Sequence, residues 1–473
     1  MPRPSLASLT AEADRARVLA LLQRHGWNAT SFQILERGFS YWFDDVVEAC
    51  VAYVDTGAAW VAAGAPIAAP VDLVGVARRF LRASSACARR ACFFAVEDRL
   101  IGAGGLESMP IGEAPSWDPS RWEDTLRDAR RLREQLRRAR AKGVRARVVP
   151  ASELVDPSGT LRREVEVLVA RWLASRRMAP MGFLTDVQIF DFVEERRCIA
   201  AERDGELVGL LVAVPVYARD GWLFEDFLRS PDAPNGTVEL LIDTAMGCVA
   251  AEGSRYVTLG LAPLAGELRP WLRLVRSFAA ALYDFDGLHR FKQRLRPDAW
   301  ASIHLAWPEG QSGNLALLDS LAAFTMRGRD GHDRASFVRY GVETLVHAPA
   351  FGVRLLGTLL VPWTVALALA PTAPFFPSRA VQMAWVVWDV VLAAAMMSLA
   401  TRWRSGLARA LAVGTSIDAA LTLVQALAYD APRVRTMREV LALIVACAGP
   451  ILATSLLWGA IHAPRTTTRQ APS

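Results

Sequence analysis

The stretch Trp222-Leu-Phe-Glu-Asp-Phe-Leu-Arg-Ser-Pro-Asp-Ala-Pro-Asn-Gly-Thr237 combines a strand, a loop and the start of a helix. Residues 222–228 alternate as a strand does, which predicts that Asp226 points to one face of a sheet and Glu225 to the other. Thr237 is a predicted N-cap, and the helix that it opens runs to about residue 251.

The loop of this stretch ends the strand because its prolines and glycine cannot continue a ladder. Asp226 and Arg229 therefore lie at the carboxyl end of a strand. In α/β sheets ligands bind at that end. We expect the active site here, with the rest of the chain surrounding or anchoring it.

Composition limits the classes of function. The 473 residues carry a net charge of +6, with arginine in large excess over lysine, which fits a partner such as nucleic acid or acidic lipid. Genomic bias toward arginine is the alternative explanation. Six cysteines without a CxxC pair and six scattered histidines predict neither a disulfide framework nor a metal site. The first residues lack an apolar core, so no signal peptide is expected.

The order of predicted elements defines the fold class as α+β. In residues 1–145 the patterns predict a helix over 10–25, a hairpin around Asp55-Thr-Gly57, a helix over 73–87 and a strand over 91–97. In residues 146–310 they predict a helix, three strands, a helix and a further strand. This is the order of an N-acetyltransferase-like (GNAT) domain, and the first half repeats it roughly, so we expect two such domains in tandem.

A basic helix is predicted between the two domains, over residues 119–143. Ser120 and Glu123 fit a capping box, and apolar residues recur at spacings of three and four among many arginines. The helix is either a connector with a solvated basic face or a surface that meets polyphosphate, as in tRNA or anionic lipid.

The composition changes after a basic linker predicted over residues 311–350. Within 351–473, four apolar stretches have about the length needed to span a bilayer. Asp389 and Asp418 fall inside two of them and either face the bundle interior, line a polar path or mark misplaced spans. Arginines flank the spans on the side that a cytosolic linker and tail would share, although the third loop also carries some. The four predicted spans are about 351–370, 381–400, 407–428 and 439–461.

The central loop also argues against coenzyme A as the acyl donor. GNAT enzymes bind the pyrophosphate of coenzyme A with a Gly-rich loop whose N–H groups cradle the phosphates. Here the loop from Arg229 to Gly236 contains prolines without an N–H group, and Asp232 would repel phosphate. We therefore expect another donor.

Several segments together resemble the catalytic region of the bacterial phosphatidylglycerol lysyltransferases, also called multiple peptide resistance factors. The resemblance covers about residues 20–310. It implies tandem GNAT-like domains that move an aminoacyl group from aminoacyl-tRNA to a lipid hydroxyl, typically of phosphatidylglycerol, without a cofactor. It also implies aminoacyl-tRNA, an anionic phospholipid and the inner membrane of a bacterium as partners, with the catalytic domains in the cytosol. The segments are Asp226–Arg229, Ala233–Thr237, Leu259–Leu264, Gly287–Lys292 with Pro297 and Trp300, Gly112-Glu113, Arg140–Gly143 and Arg171–Leu173.

The chain departs from that family in two respects. Its apolar spans follow the catalytic region instead of preceding it, and they are fewer than the family's bundle. The family also tends to carry an acidic residue ahead of the Gly-Phe pair, where this chain reads Met178-Ala-Pro-Met-Gly-Phe183. A carboxylate there would be a natural recognition group for the donor's amine, so its absence leaves the amino acid open.

The resemblance suggests roles for individual residues. Asp226 would hold or accept the proton of the lipid hydroxyl, or bind the donor's α-ammonium group. Arg229 would bind the lipid phosphate, and Lys292 would stabilise an oxyanion or a tRNA phosphate. A structural Asp226–Arg229 ion pair and a solvated Lys292 are the alternatives. The predicted substrate-binding residues are Gly236, Thr237, Gly260, Pro263 and Glu113.

Two rival functions remain at this point. One is an N-acyltransferase that uses acyl-CoA or an acyl carrier to make amino-acid lipids. The other is a non-catalytic GNAT-like module tethered to a membrane.

Overall fold

The computed structural model describes residues 6–101, 105–176, 181–280, 283–326, 349–373, 375–430, 432–433 and 437–462. Within these ranges, the residues up to 326 form one compact unit and those from 349 form a second. The first is the soluble unit and the second the helical unit.

The soluble unit is built on one mixed sheet. Its helices are α1 Leu6–His25, α2 Leu73–Ala86, α3 Trp122–Asp128, α4 Arg130–Ala141, α5 Ser152–Val155, α6 Thr160–Ala174, α7 Thr237–Ala251, α8 Pro270–Ala279, α9 Phe285–Arg294 and α10 Gly313–Thr325. Its strands are β1 Ser40–Phe43, β2 Cys50–Asp55, β3 Ala59–Ala63, β4 Arg90–Val96, β5 Leu106–Trp117, β6 Arg145–Val149, β7 Arg197–Arg203, β8 Glu206–Val216, β9 Gly221–Arg229, β10 Tyr256–Thr258, β11 Ala262–Pro263 and β12 Ala299–Pro308.

The strand order is β1-β2-β3-β4-β12-β5-β10-β9-β8-β7-β6, with β11 paired to β5. The late strand β12 lies between β4 and β5 of the first half, and β5 pairs with β10 of the second. The two predicted domains therefore share one sheet. The predicted α+β class, the hairpin and the tandem GNAT-like element order are confirmed.

A β-bulge shifts the alternation that the sequence predicts for β9. Val212 of β8 lies opposite Asp226, and the next residue, Ala213, lies opposite Phe224, so Glu225 is an extra residue. Beyond the bulge, Phe227 packs with the core cluster that contains Phe224. Strict alternation would have put these two rings on opposite faces, so the predicted facing of Asp226 away from Glu225 is wrong.

Strand β10 is parallel to β9 and only three residues long. It pairs with the start of β9, from Tyr256↔Gly221 to Thr258↔Leu223, whereas β9 stays paired with β8 as far as Arg229. Beyond Leu223, β9 has no strand partner on its β10 side in the described sheet, so the sheet opens there. Asp226 lies on the edge of this opening, at the end of the sheet where the sequence predicts the site.

The predicted basic helix is two helices, α3 and α4, separated at Ala129. Its amphipathic character is confirmed, because Leu132, Leu136 and Ala139 are buried while the arginines of α4 are exposed. The predicted capping box is wrong: the Asp118 side chain accepts from the N–H of Ser120.

The segment after β12 is not a linker throughout. Helix α10 packs on the sheet, and Arg90 of β4 binds Asp319 of α10 at 2.6 and 2.9 Å. Residues 327–348 of the predicted linker lie outside the described residues, as do Met178–Pro180 and the tail 463–473.

The helical unit contains α11 Pro349–Leu369, α12 Arg379–Thr401, α13 Ser405–Gln425, extended by a π-helical turn to Asp430, and α14 Met437–His462. Four helices in the described residues are long and apolar enough to cross a membrane, in agreement with the four predicted spans. Asp389 and Asp418 are each 6% exposed, so both face the interior of this bundle.

Candidate active site

The bulge in β9 gathers carboxylates at the opening of the sheet. Asp226 is opposite Val212, whose side chain belongs to the core cluster beneath α6, and Glu225 interacts electrostatically with Asp226. Glu36, which follows a short 3-10 helix at Phe32–Leu35, and Asp186 add their charges to the same environment. We call Glu36, Asp186, Glu225 and Asp226 the acidic cluster.

Arg196 is the cation that the structure places in the acidic cluster. Its Nη1 donates to Oε2 of Glu225 at 2.9 Å, and the two side chains are only 2% and 7% exposed. Its Nε donates to the carbonyl of Asp191, and its guanidinium lies 5.3 Å from the ring centre of Phe32. One arginine thus faces several carboxylates.

Some oxygens of the acidic cluster have no protein partner. Glu36 is 2% exposed, and both of its carboxylate oxygens are buried without a hydrogen bond. Oε1 of Glu225 is likewise buried without a hydrogen-bond partner. Unsatisfied buried acceptors are costly in free energy, so each needs a proton or a ligand that donates to it.

The cluster shifts the pKa values of its members. Burial raises the pKa of Asp226 to about 8, the charge of Glu225 adds to that rise, and Arg196 opposes it. Burial also raises the pKa of Glu36 well above its usual range, with Glu225 and Asp226 contributing. Because Asp226 keeps some solvent exposure at the edge of the opening, it is a carboxyl group that can exchange a proton near neutral pH.

Arg229, the other predicted residue of β9, is exposed at the end of the strand. Within the described residues its guanidinium makes no hydrogen bond or ion pair, and in particular none with Asp226. Arg229 acts electrostatically on Arg176, whose guanidinium lies over the ring of Trp172. Two neighbouring arginines form a positive patch suited to an anion.

Lys292 is buried, at 3% exposure, so the predicted alternative of a solvated lysine is wrong. Its Nζ donates to the carbonyls of Leu259, Gly260 and Leu261 at 2.8, 2.8 and 3.0 Å. Burial lowers the pKa of Lys292 to about 7. The three N–H groups of the ammonium thereby hold the loop that follows β10.

Helix α9 fixes a second predicted residue at the same loop. Nε2 of His289 lies 2.7 Å from Oε1 of Glu113, which stands opposite Ala262 in the sheet. Pro263 pairs with Gly112 in the next register position. The structure thus groups Glu113, Gly260, Pro263 and Lys292 around the end of β10, while Asp226 and Arg229 lie on β9.

Gly236 and Thr237 lie beneath the basic helix α4. A Cβ atom at Gly236, where φ is +93°, would approach the carbonyl oxygen of Gln135 to 2.2 Å, so only glycine fits. The predicted N-cap at Thr237 is one residue off: Gly236 occupies that position, and the Thr237 hydroxyl donates to the carbonyl of Pro234 at 2.7 Å. The start of α7, where coenzyme A pyrophosphate would bind a GNAT enzyme, is covered by α4.

Sequence patterns missed Glu36, Glu225 and Arg196 as site residues. Glu225 was assigned to the opposite face because a bulge leaves no clear sequence signal. Glu36 lies almost two hundred residues from β9, and nothing in its local pattern indicates burial. The presence of two adjacent acids in an otherwise apolar strand was the one available clue.

The shared sheet, its opening at β9 and the residues around it define a GNAT-like protein of the tandem type. Residues 19–306 match the family described as phosphatidylglycerol lysyltransferase, C-terminal. The chain belongs to this family, and the predicted resemblance is confirmed.

Two curated relatives carry names that agree with this family. The chain is 30% identical to the phosphatidylglycerol lysyltransferase of Bacillus subtilis (strain 168) over 118 residues, which are 23% of this chain and 14% of that protein. It is 25% identical over 312 residues to the lysylphosphatidylglycerol biosynthesis bifunctional protein LysX of Nocardia farcinica, covering 61% and 27%. The chain thus spans less than a third of either relative.

Two solved structures share the fold of the soluble unit. The C-terminal DUF2156 domain of a lysylphosphatidylglycerol synthetase from Agrobacterium fabrum aligns with a TM-score of 0.58 at 21% identity, covering 68% of this chain and 99% of that one. L-PGS from Bacillus licheniformis aligns with a TM-score of 0.57 at 19% identity, covering 66% and 97%.

Proposed function

We propose that this protein transfers an aminoacyl group from aminoacyl-tRNA to the hydroxyl group of a lipid such as phosphatidylglycerol. Membership of the lysyltransferase family supports the reaction class. The acidic cluster is the observation that carries the proposal for this chain, because an aminoacyl donor brings an ammonium group that carboxylates can bind. Acetyl and other simple acyl groups have no such charge.

Asp226 is our candidate for the general base. Its pKa of about 8 lies close to neutral pH, so its ionised fraction can take a proton and the protonated form can return it. The lipid oxygen then bonds to the aminoacyl carbonyl carbon, and the ester bond to the tRNA ribose breaks. The proton moves from the lipid hydroxyl to Asp226 and then to the leaving ribose oxygen, so the step is balanced.

Glu36 and Glu225 are our candidates for binding the donor's ammonium group. They carry the unsatisfied buried oxygens, which an ammonium could satisfy by donating hydrogen bonds. They would supply the carboxylates that the sequence lacks ahead of Gly182. Arg229, exposed and without an ion pair among the described residues, would bind the lipid phosphate.

For Lys292 we propose a positioning role. Its ammonium protons are directed at three backbone carbonyls, so stabilising an oxyanion or a tRNA phosphate would require breaking those bonds. Lys292 instead shapes the loop 259–261 that borders the opening. Glu113 and His289 support the same loop from β5 and α9.

Two features favour aminoacyl-tRNA over coenzyme A as the donor. Helix α4 packs against the first turn of α7, where Gly236 lies against the backbone of Gln135. Coenzyme A pyrophosphate would have to bind at this same turn. The outer face of α4 is exposed and rich in arginine, which suits a nucleic-acid backbone. Arginines between α12 and α13 agree with a cytosolic side for that loop, and we propose that the soluble unit faces the cytosol at a bacterial inner membrane.

The test uses the full chain in membranes with aminoacyl-tRNAs that carry a labelled amino acid. We expect a labelled lipid from the native protein and a rate lower by about 100-fold or more for Asp226→Asn, the range typical of a lost general base. Asp204→Asn, at an exposed hairpin turn, is the matched control and should keep the native rate. If no aminoacyl-tRNA yields labelled lipid, or if Asp226→Asn is as fast as the control, the proposal fails.

A further inference from the structure

The helical unit contains a cavity of about 770 Å³ between its helices, which is partly open to the surface. Residues of all four helices line it, and most of the lining is apolar. Its size falls within the range of sites for small organic molecules. None of the features discussed for aminoacyl transfer involves this cavity.

Three carboxylates line the cavity wall: Asp389, Asp418 and Asp430. They are 6%, 6% and 5% exposed, and Asp389 and Asp418 are close enough to interact electrostatically. Asp389 lies about 15 Å along α12 from its start, near the middle of that helix. Asp389 and Asp418 would therefore lie deep in a bilayer, where charged groups are costly and usually serve a function, whereas Asp430 is the last residue of its span.

The described cavity wall carries no cationic side chain to pair with these acids. In the described part of the chain, no arginine, lysine or histidine lines the cavity. Asp418 interacts with the Trp388 side chain. Arg433 acts on Asp430 from outside the wall, but its Nη1 donates to the carbonyl of Tyr429.

One carboxylate oxygen on the cavity wall lacks a hydrogen bond. Oδ1 of Asp430 is buried against the cavity and has no hydrogen-bond partner. A buried acceptor of this kind needs a donor, and none of the described residues supplies one to that atom. Gln425, also on the wall, accepts a hydrogen bond from Trp385 and donates one to the carbonyl of Phe375, at 2.9 Å each. Its side chain also interacts with the carboxyl group of Asp430, so the unsatisfied atom is Oδ1 alone.

We propose that this cavity binds an ammonium group carried on a hydrocarbon body. The carboxylates would hold the ammonium, and the apolar wall would hold the hydrocarbon. Trp363 and Trp385 also line the wall, and tryptophan rings attract cations. Either a lipid with an aminoacyl headgroup or a free cationic amphiphile has this chemistry.

The test is photolabelling of the full-length protein in lipid nanodiscs with a dodecylamine that carries a diazirine. We expect mass spectrometry to find the label on peptides of α11 to α14 that line the cavity. A dodecanol probe with the same diazirine is the neutral control and should label these peptides at least tenfold less. Equal labelling by the two probes would overturn the proposal, since the cavity would then be an apolar gap.

Substitution provides the second arm. The double variant Asp389→Asn, Asp418→Asn should lose at least tenfold of the amine labelling, and each single variant should lose less. Glu439→Gln, an acid of α14 outside the cavity wall, should label as the native protein does. Native labelling in the double variant would also overturn the proposal, and dodecanol labelling reports whether the variant bundle is intact.

Competition between the photolabel and unlabelled compounds distinguishes an aminoacyl lipid from a free cationic amphiphile as the occupant. Displacement of the probe by lysyl-phosphatidylglycerol but not by phosphatidylglycerol supports a lipid occupant. Displacement by dodecylamine alone supports a free amphiphile. The Asp226→Asn variant should label normally, so this result does not depend on transfer activity.

Discussion

The soluble unit and the helical unit each bury a group of carboxylates, but only the first group has a basic side chain bonded to it in the described residues. In the soluble unit, Arg196 is bonded to Glu225 at 2.9 Å and opposes the charge of Glu36 and Asp226. In the helical unit, the described cavity wall carries no basic residue beside Asp389 and Asp418. The first group is partly compensated by the protein, whereas the second depends on protons or a ligand.

The difference has a physical reason. A buried ion pair is stable when its partners are well placed and their remaining hydrogen bonds are satisfied. A sheet with a bulge can place an arginine and two acids within a few ångströms of each other. An apolar bundle has few such positions, so its acids remain available to a cation from outside.

The largest expected effect is on the stability of the soluble unit when its buried cation, Arg196, is removed. Arg196→Met would leave Glu225, Glu36 and Asp226 without their cation and should lower the free energy of unfolding by about 3–5 kcal/mol. Arg197→Met, which removes a partly exposed pair with Glu252, should cost about 1 kcal/mol or less. Thermal unfolding of the full-length variants checks this, and equal losses would show that Arg196 does not compensate the cluster.

The next effect concerns recognition of the donor. Glu36→Gln should raise the KM for the aminoacyl-tRNA donor by about tenfold or more, because a charge-assisted hydrogen bond is worth about 1.5–3 kcal/mol. The exposed Glu48→Gln is the matched control and should leave KM unchanged. An unchanged KM in Glu36→Gln would remove Glu36 from the donor site.

Arg229→Ala should weaken use of the lipid by raising the KM for phosphatidylglycerol, while binding of aminoacyl-tRNA is kept. Its guanidinium is exposed beside the opening and makes no described ion pair. Arg24→Ala on α1, which removes an exposed pair with Glu48, serves as control. A fall in kcat without a change in this KM would contradict a phosphate-binding role.

A smaller effect is expected on the pH dependence of stability. The folded pKa of Asp226 is about 8, above the ordinary value of 3.8. Its contribution to stability is full at low pH and is lost as the pH rises through about 8. The melting temperature of the native protein should therefore fall between pH 6 and pH 9 more than that of Asp226→Asn. Parallel curves for the two proteins would show that Asp226 has an ordinary pKa.

The smallest effect should come from neutralising the helical unit. Asp389→Asn with Asp418→Asn removes buried charges that have no cationic partner on the described cavity wall, so stability should stay the same or rise by up to about 1 kcal/mol. Thermal unfolding in detergent checks the sign. A loss comparable to that of Arg196→Met would mean that these aspartates are compensated after all.

The sequence by itself determined the class of elements, the four apolar helices and the strand end at which Asp226 lies. These follow from local periodicity and from turn residues such as those between Arg229 and Thr237, which act over a few positions. Family motifs added the match over residues 19–306.

Only the tertiary structure decided the chemical environment of Asp226. The bulge at Glu225 changes the facing of the strand, and long-range packing brings Glu36 and Arg196 to it. The same holds for Lys292, whose pattern does not show that three carbonyls surround its ammonium. Burial and electrostatic coupling depend on contacts between residues far apart in the chain, which local periodicity does not encode.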